Sequence, residues 1–466
     1  MRTLLLWCSL LPALAAGDSA RRAAHPDIYA LIELARSAPP EFAAQGLLRL
    51  LDVHAIPSTD WQRDIAQEAL QLARSARHAV PRQLAPGFTL PDSRATLWHS
   101  AHRAGLDSLT LSVRALDHLR RLRPEAARIA FGDTPRPVPT PTSCTDTLLD
   151  DISAWYRAAA RLQLPPLPIL QTIQSHGEIA PAIDLIFESR RSLEELDTLA
   201  GALAARLAAL PQESRAFTAA LPAASPKLKH LLNVLQANQR PTAALTDGWR
   251  SWIVAGLQAP ACEDARTAGP HEQARHDAFV LFNQVVSTPL PPEILKTTGE
   301  SVQADVGLFS SDAAAQQQAA LFRQLLFGKE SRALSPAEKD TPEWRDLLQK
   351  YMQSIEARSR ASDESDLEFF YRTSQLWASV LIASPAGSVR DRALESYISF
   401  LLSNATHTDP LLWYSQLEAL AASTRALHGQ EFPKMLGALR QTGHPVLQLF
   451  AALESAYPSR PTVREN

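Results

Sequence analysis

The strongest constraint on this chain is an apolar period of helical spacing that runs along almost its whole length and is broken at short intervals by proline. In residues 192–210 the leucines fall at 193, 196, 199, 203, 207 and 210, which places them on one stripe of an α-helix. Ser192 and Glu195 have the spacing of a capping box, whose side chains satisfy helix-terminal N–H groups, and Pro211 forbids continuation. Residues 341–358 repeat the plan. Thr341 caps, Pro342 fits the first turn, and Trp344, Leu347, Leu348, Tyr351, Met352 and Ile355 are predicted to share a buried face.

That period also explains why 34 Pro stand against only 17 Gly in 466 residues. Pro26, Pro226, Pro336, Pro342 and Pro410 each open a helical pattern, and the preceding Ser225, Ser335, Thr341 and Asp409 are N-cap types. Proline at a first helical position sacrifices no bond, because its N–H would be unpaired there. The pattern predicts roughly twenty helices of about 10–20 residues, joined by short turns, with almost no strand signal. The expected fold is therefore all-α: many short antiparallel helices in a multi-helical array, or a solenoid-like architecture without a legible sequence repeat. The tetratricopeptide spacing of Trp, Leu-Gly, Tyr, Ala and Pro does not recur.

Two interruptions divide the chain. Residues 134–141 (TPRPVPTP) read as an extended spacer, and residues 259–270 as a polar loop. The blocks so defined are 22–132, 145–258 and 271–457, followed by a polar tail at 458–466. Residues 1–15 have the order of a secretory signal peptide: Arg2, a mostly apolar stretch to Leu11, Pro12, then Ala13-Leu14-Ala15 as a cleavage site. Export of a bacterial type, to the periplasm or beyond, is expected. Bulky Trp7 before Cys8 argues against lipid attachment there. Cys144 and Cys262 would then remain, an even pair in an oxidising compartment, and are expected to form a disulfide. In the chain-entropy model a bridge across so long a loop stabilises by about 4–5 kcal/mol.

Charge and motifs exclude several functions. With 46 basic and 49 acidic residues the formal charge is -3, unlike the basic domains that bind nucleic acid. No run of eighteen apolar residues is present, so a transmembrane segment is not expected. His-Glu-x-x-His, Gly-x-Ser-x-Gly and phosphate-cradling glycine loops are absent, and no cofactor is expected. His99 and His102 lie three apart but lack a third metal ligand. Arg114, His118 and Arg121 form a basic helix face, which ordinarily means solvation.

Two acidic clusters sit beside aromatics: Asp150-Asp151 before Trp155 and Tyr156, and Asp363-Glu364 before Phe369 and Phe370. A helical glycan-acting hydrolase or lyase would use such pairs, although acids also enrich the first turns of helices, with Asp363 itself a cap candidate. Trp249 and Trp252, one turn apart, would be a binding surface if exposed and core if not. The leading expectation is a non-enzymatic exported scaffold binding protein or peptide partners. The alternatives are the glycan-acting enzyme and a carrier of lipid or another small molecule. Thiol titration of the unfolded, unreduced and processed protein is expected to find no free thiol; two free thiols would sink the Cys144–Cys262 pairing.

Overall fold

The computed structural model describes residues 21–76, 82–83, 94–134, 136–137, 148–149, 152–211, 214–258, 268–295, 341–360, 364–427 and 429–458. The protein is all-α. Among the described residues there are nineteen α-helices and one antiparallel pairing of two-residue strands, Arg82–Gln83 with Leu148–Leu149. The first helices are α1 (Pro26–Arg36), α2 (Pro40–Asp52), α3 (Thr59–Ser75), α4 (Arg94–Ala104), α5 (Ser108–Leu122), α6 (Pro124–Gly132) and α7 (Ser153–Arg161). Next come α8 (Pro166–Gln171), a 3-10 turn at His176–Glu178, α9 (Ile179–Ser189), α10 (Leu193–Ala209), α11 (Ser214–Ala237), α12 (Ala243–Gln258) and α13 (Ala268–Val285). The last six are α14 (Pro342–Glu356), α15 (Asp366–Ala383), α16 (Ser388–Asn404), α17 (Pro410–Ala426), α18 (Glu431–Gln441) and α19 (Pro445–Ala456).

Proline does act as a start signal. It occupies the first turn of α1, α2, α6, α8, α14, α17 and α19. Side-chain caps complete several starts: Thr341 accepts from Trp344 N at 3.2 Å, and Asp409 from Leu411 N at 2.9 Å. Ser192 caps α10 from Glu195 N at 3.1 Å, while the Glu195 carboxylate reaches back to Arg191 N at 2.7 Å, one residue before the expected partner. Three local expectations need correction. Pro226 does not open a helix; with Pro222 it lies inside α11, whose packing overrides the two lost backbone bonds. Ser365, rather than Asp363, caps α15. Leu347 is 48% exposed, because the buried face of α14 is centred on Leu348, Tyr351, Met352 and Ile355.

Residues 78–310 form one compact unit. Within it α5 packs on α7, α7 on α9, α9 on α11 and α11 on α13, while α8 packs on α10 and α10 on α12. Each helix thus covers the next but one, the arrangement of a two-layered α-solenoid. At the crossing of α10 and α12 backbone meets backbone. A Cβ built on Gly248 would lie 2.5 Å from the Ala204 carbonyl oxygen, so only glycine permits this approach.

The second unit is discontinuous, residues 1–77 with 311–466. Next-but-one packing recurs there, α14 on α16, α16 on α18 and α15 on α17, and α19 then receives α1 and α2. Buried Glu454 of α19 anchors that closure, taking Arg49 of α2 at 2.7 Å and Arg425 of α17. The tilted rings of Phe42 and Tyr414 pack with centroids 5.2 Å apart in the same unit. This division differs from the three sequential blocks 22–132, 145–258 and 271–457, because the unit that holds α1–α3 also holds α14–α19, with α1 and α2 packed on α19.

A spacing invisible as sequence similarity runs through both units. Polar ties recur at 41 to 44 positions: Asp117–Arg161, Asp184–Lys227, Glu431–Arg390 and Asp391–Lys434 join stacked helices, and Asp197 of α10 takes Arg240 from the loop before α12. Apart from the buried Glu431–Arg390 pair, these ties are partly exposed and contribute little stability, so they mark register more than strength. Gly248→Ala is expected to lower unfolding free energy by about 2 kcal/mol, since backbone rather than a side chain must move. Gly201→Ala, a helical glycine with nothing within 4 Å of the added Cβ, should instead raise it by about 0.5–1 kcal/mol. Urea denaturation of both variants checks the pair, and equal effects would refute the close-crossing argument.

Candidate functional site

The next-but-one stacking lays one face of α7, α9 and α11 side by side, and a groove of about 210 Å³ crosses all three. Helical spacing produces its lining. Ser153, Arg157 and Ala160 come from α7, Ala180, Asp184 and Glu188 from α9, and Ala219, Ala223 and Lys227 from α11, each set at intervals of three or four. Small side chains form the middle: Ala160, Ala180 and Ala220 are 6–8% exposed. Charge stands at the edges, where Lys227 of α11 pairs with Asp184 of α9.

One wall of the groove is a buried polar assembly. Ser175 caps the 3-10 turn and Glu178 completes its capping box. Glu178 Oε1 accepts backbone N–H groups from Gln174 at 2.9 Å and Ser175 at 3.0 Å. Its Oε2 accepts the Tyr156 hydroxyl at 2.5 Å and an Arg136 N–H. Arg136 also donates to the Tyr156 oxygen at 2.9 Å and to Thr172 Oγ1. Burial and the Glu178 charge push the Tyr156 phenol well above its ordinary pKa, so it stays a donor.

His176, 3% exposed, lines the groove beside that wall. Its Nδ1 accepts the Trp252 indole N–H at 2.7 Å, which leaves the proton on Nε2 to donate to the Pro211 carbonyl at 2.8 Å. Burial carries its pKa down to about 4, against the smaller opposing effect of the Pro211 bond. The ring is therefore a neutral, oriented strut.

The residues nominated from sequence have other places. Trp249 and Trp252 are 0% and 2% exposed, so they form core and not a binding surface. Trp249 packs edge-on against Phe282 at 5.1 Å, and Trp252 supports the groove from beneath through His176. Glu364 is 2% exposed and locked to Arg358, which also holds Thr373, so it is structural. Asp117 punctuates the basic face of α5 and pairs with Arg120 and Arg161. Cys144, Cys262, Asp150, Asp151, Asp363, the expected leader at 1–15 and the tail beyond 458 lie outside the described residues.

Sequence reasoning passed over the groove and its wall. Alanines on a helix look like filler, and Glu178 and Tyr156 are 22 positions apart with no motif between them. The Ser175–Glu178 capping box was the one local signal there. Among the described residues no group of three or more His, Cys, Asp or Glu side chains could hold a metal ion. No described helix is long and apolar enough to cross a membrane. No protein-family model matches the chain, and neither does any curated protein sequence.

The neutral His176 makes stability pH-dependent. Its ordinary value is 6.5, so between pH 6.5 and 4 the unfolded chain binds a proton that the folded one refuses. Stability from this group is full above pH 6.5 and is lost as pH falls toward 4, by up to about 3 kcal/mol. Denaturation across that range should show a steeper decline for wild type than for His176→Gln. Parallel curves would refute the role.

Proposed function

We propose that this chain is an exported helical scaffold that binds protein partners, with the groove across α7, α9 and α11 receiving an extended peptide segment. The observation that carries this reading is the groove itself: three stacked helices present small side chains along a line, with the Asp184–Lys227 pair, Arg157 and Glu188 along it. Small side chains let a peptide backbone approach, and charged edges hold its register. Solenoid stacking is the usual means of building such an extended surface. Export is supported by Arg2, the apolar stretch to Leu11 and the Ala13-Leu14-Ala15 site.

The two alternatives find less support at the groove. A glycan-acting hydrolase or lyase needs two carboxylates across a cleft with exposed aromatic platforms. Here Asp184 is engaged by Lys227, Glu188 stands one turn along the same helix, and Tyr156 is 1% exposed. A lipid carrier needs an apolar cavity, and small-molecule pockets run about 300–1,000 Å³. This groove is smaller and carries charge.

Ala223 is exposed on α11 within the groove, so a large side chain there should block it without disturbing the core. Selection from a random-peptide display library is expected to enrich binders to wild type whose affinity drops at least about tenfold (roughly 1.4 kcal/mol) on Ala223→Trp. Binders that ignore Ala223→Trp would overturn the groove assignment, and failure to enrich any would count against the scaffold reading.

A further inference from the structure

The groove wall holds a second, separable feature. The Arg136 guanidinium is enclosed by a carboxylate, a phenol, a hydroxyl and two ring faces. It bonds Glu178 Oε2, the Tyr156 oxygen at 2.9 Å and Thr172 Oγ1, and its Cζ lies 5.8 Å from the ring centroids of both Trp155 and Tyr156. Carboxylate with aromatic faces is the recognition chemistry of a guanidinium. What is unusual is where the arginine comes from. Arg136 belongs to no described helix; it stands between Pro135 and Pro137 in the run TPRPVPTP, and its side chain remains 22% exposed.

The pocket does not depend on Arg136 for its shape. Glu178 is fixed by the Gln174 and Ser175 amides and by the Tyr156 hydroxyl, and Tyr156 belongs to α7, which α9 packs against. With Arg136 in place Glu178 is 0% exposed, so removing Arg136 would leave a placed carboxylate without its cation, which favours refilling by another guanidinium. We propose that Glu178, Tyr156, Thr172 and the Trp155 ring form a binding site for an arginine side chain carried on an extended, proline-flanked peptide segment. Arg136 fills the site in cis, and a partner's segment takes it by exchange. The site adjoins the groove and shares Tyr156 with it, but its ligand is defined by the guanidinium, and neither Arg136, Glu178 nor Thr172 lines the groove.

The test uses the processed protein, fluorescein-labelled TPRPVPTP and the same peptide with alanine in place of its arginine. A tethered arginine competes at an effective concentration of about millimolar or more, so Arg136→Ala should bind the arginine peptide at least about tenfold more tightly than wild type. The alanine peptide should bind neither protein, and adding Glu178→Gln to Arg136→Ala should abolish binding. Methylguanidinium at low millimolar concentration should raise the melting midpoint of Arg136→Ala and leave wild type unchanged. Ala223→Trp should leave this binding intact, which separates the outcome from that of the groove. A folded Arg136→Ala that neither binds the arginine peptide nor responds to methylguanidinium overturns the proposal, as does equal binding of both peptides. If Arg136→Ala does not fold, Arg136→Lys, which keeps the charge and loses the planar fork, is read by the same criteria.

Discussion

Within residues 78–310 the fold depends on helices being covered by the helix two places further along the chain. Helices this short are marginal in water, and their stability comes from burying an apolar stripe. Here each stripe is met by the preceding and following members of its own layer, as α9 is by α7 and α11. The close crossing of α10 and α12 at Gly248 shows how far that stacking is pressed. A structure built from such nearest-neighbour contacts stays strong locally, and a surface made by three consecutive members inherits its precision from only those three.

The fold class was legible because two independent signals agreed. The leucine spacing in 192–210 demanded a helix, and proline at the starts of α1, α14 and α17 marked where helices began. Ser225-Pro226 has the same local form and deceived, because whether a Ser-Pro pair caps or interrupts a helix is decided by what packs on it. Leu228, Leu231, Leu232 and Leu235 are fully buried beyond it, and Ala224, Leu221 and Phe217 are buried before it, so the stripe runs straight through. The repeat was hidden for a different reason. It is kept by ion pairs at 41–44 positions, such as Asp197–Arg240, which similarity of residue types at a fixed offset does not register when each pair sits on a different background.

The candidate site was less legible still, since its parts carry weak signals. An alanine on a helix face is equally a spacer or a floor, and only the stacking decides which. Trp252 drew notice for its size, yet its part is indirect: it fixes the tautomer of His176, which lines the groove. Pro222 and Pro226 are both exposed on α11 and flank Ala223. Pro226 also lacks the N–H that would otherwise pair with the Pro222 carbonyl.

The buried carboxylates show why the groove wall differs from the rest of the fold. Glu454 joins α19 to Arg49 of α2 and Arg425 of α17, and Glu431 joins α18 to Arg390 of α16. Burial alone would raise Glu431, but the Arg390 bond and charge bring its pKa below the ordinary value, so the pair is held ionised. Both halves of these pairs lie on helices of the same unit. Glu178 is equally buried, and its amide and phenol donors belong to its own turn and to α7, but its arginine stands outside every described helix. An ion pair built that way can part while the stack stays closed. A carboxylate so placed among amide and phenol donors favours a guanidinium as its counter-ion, which is why its arginine, and not the helix stack, is the exchangeable part of the proposed site.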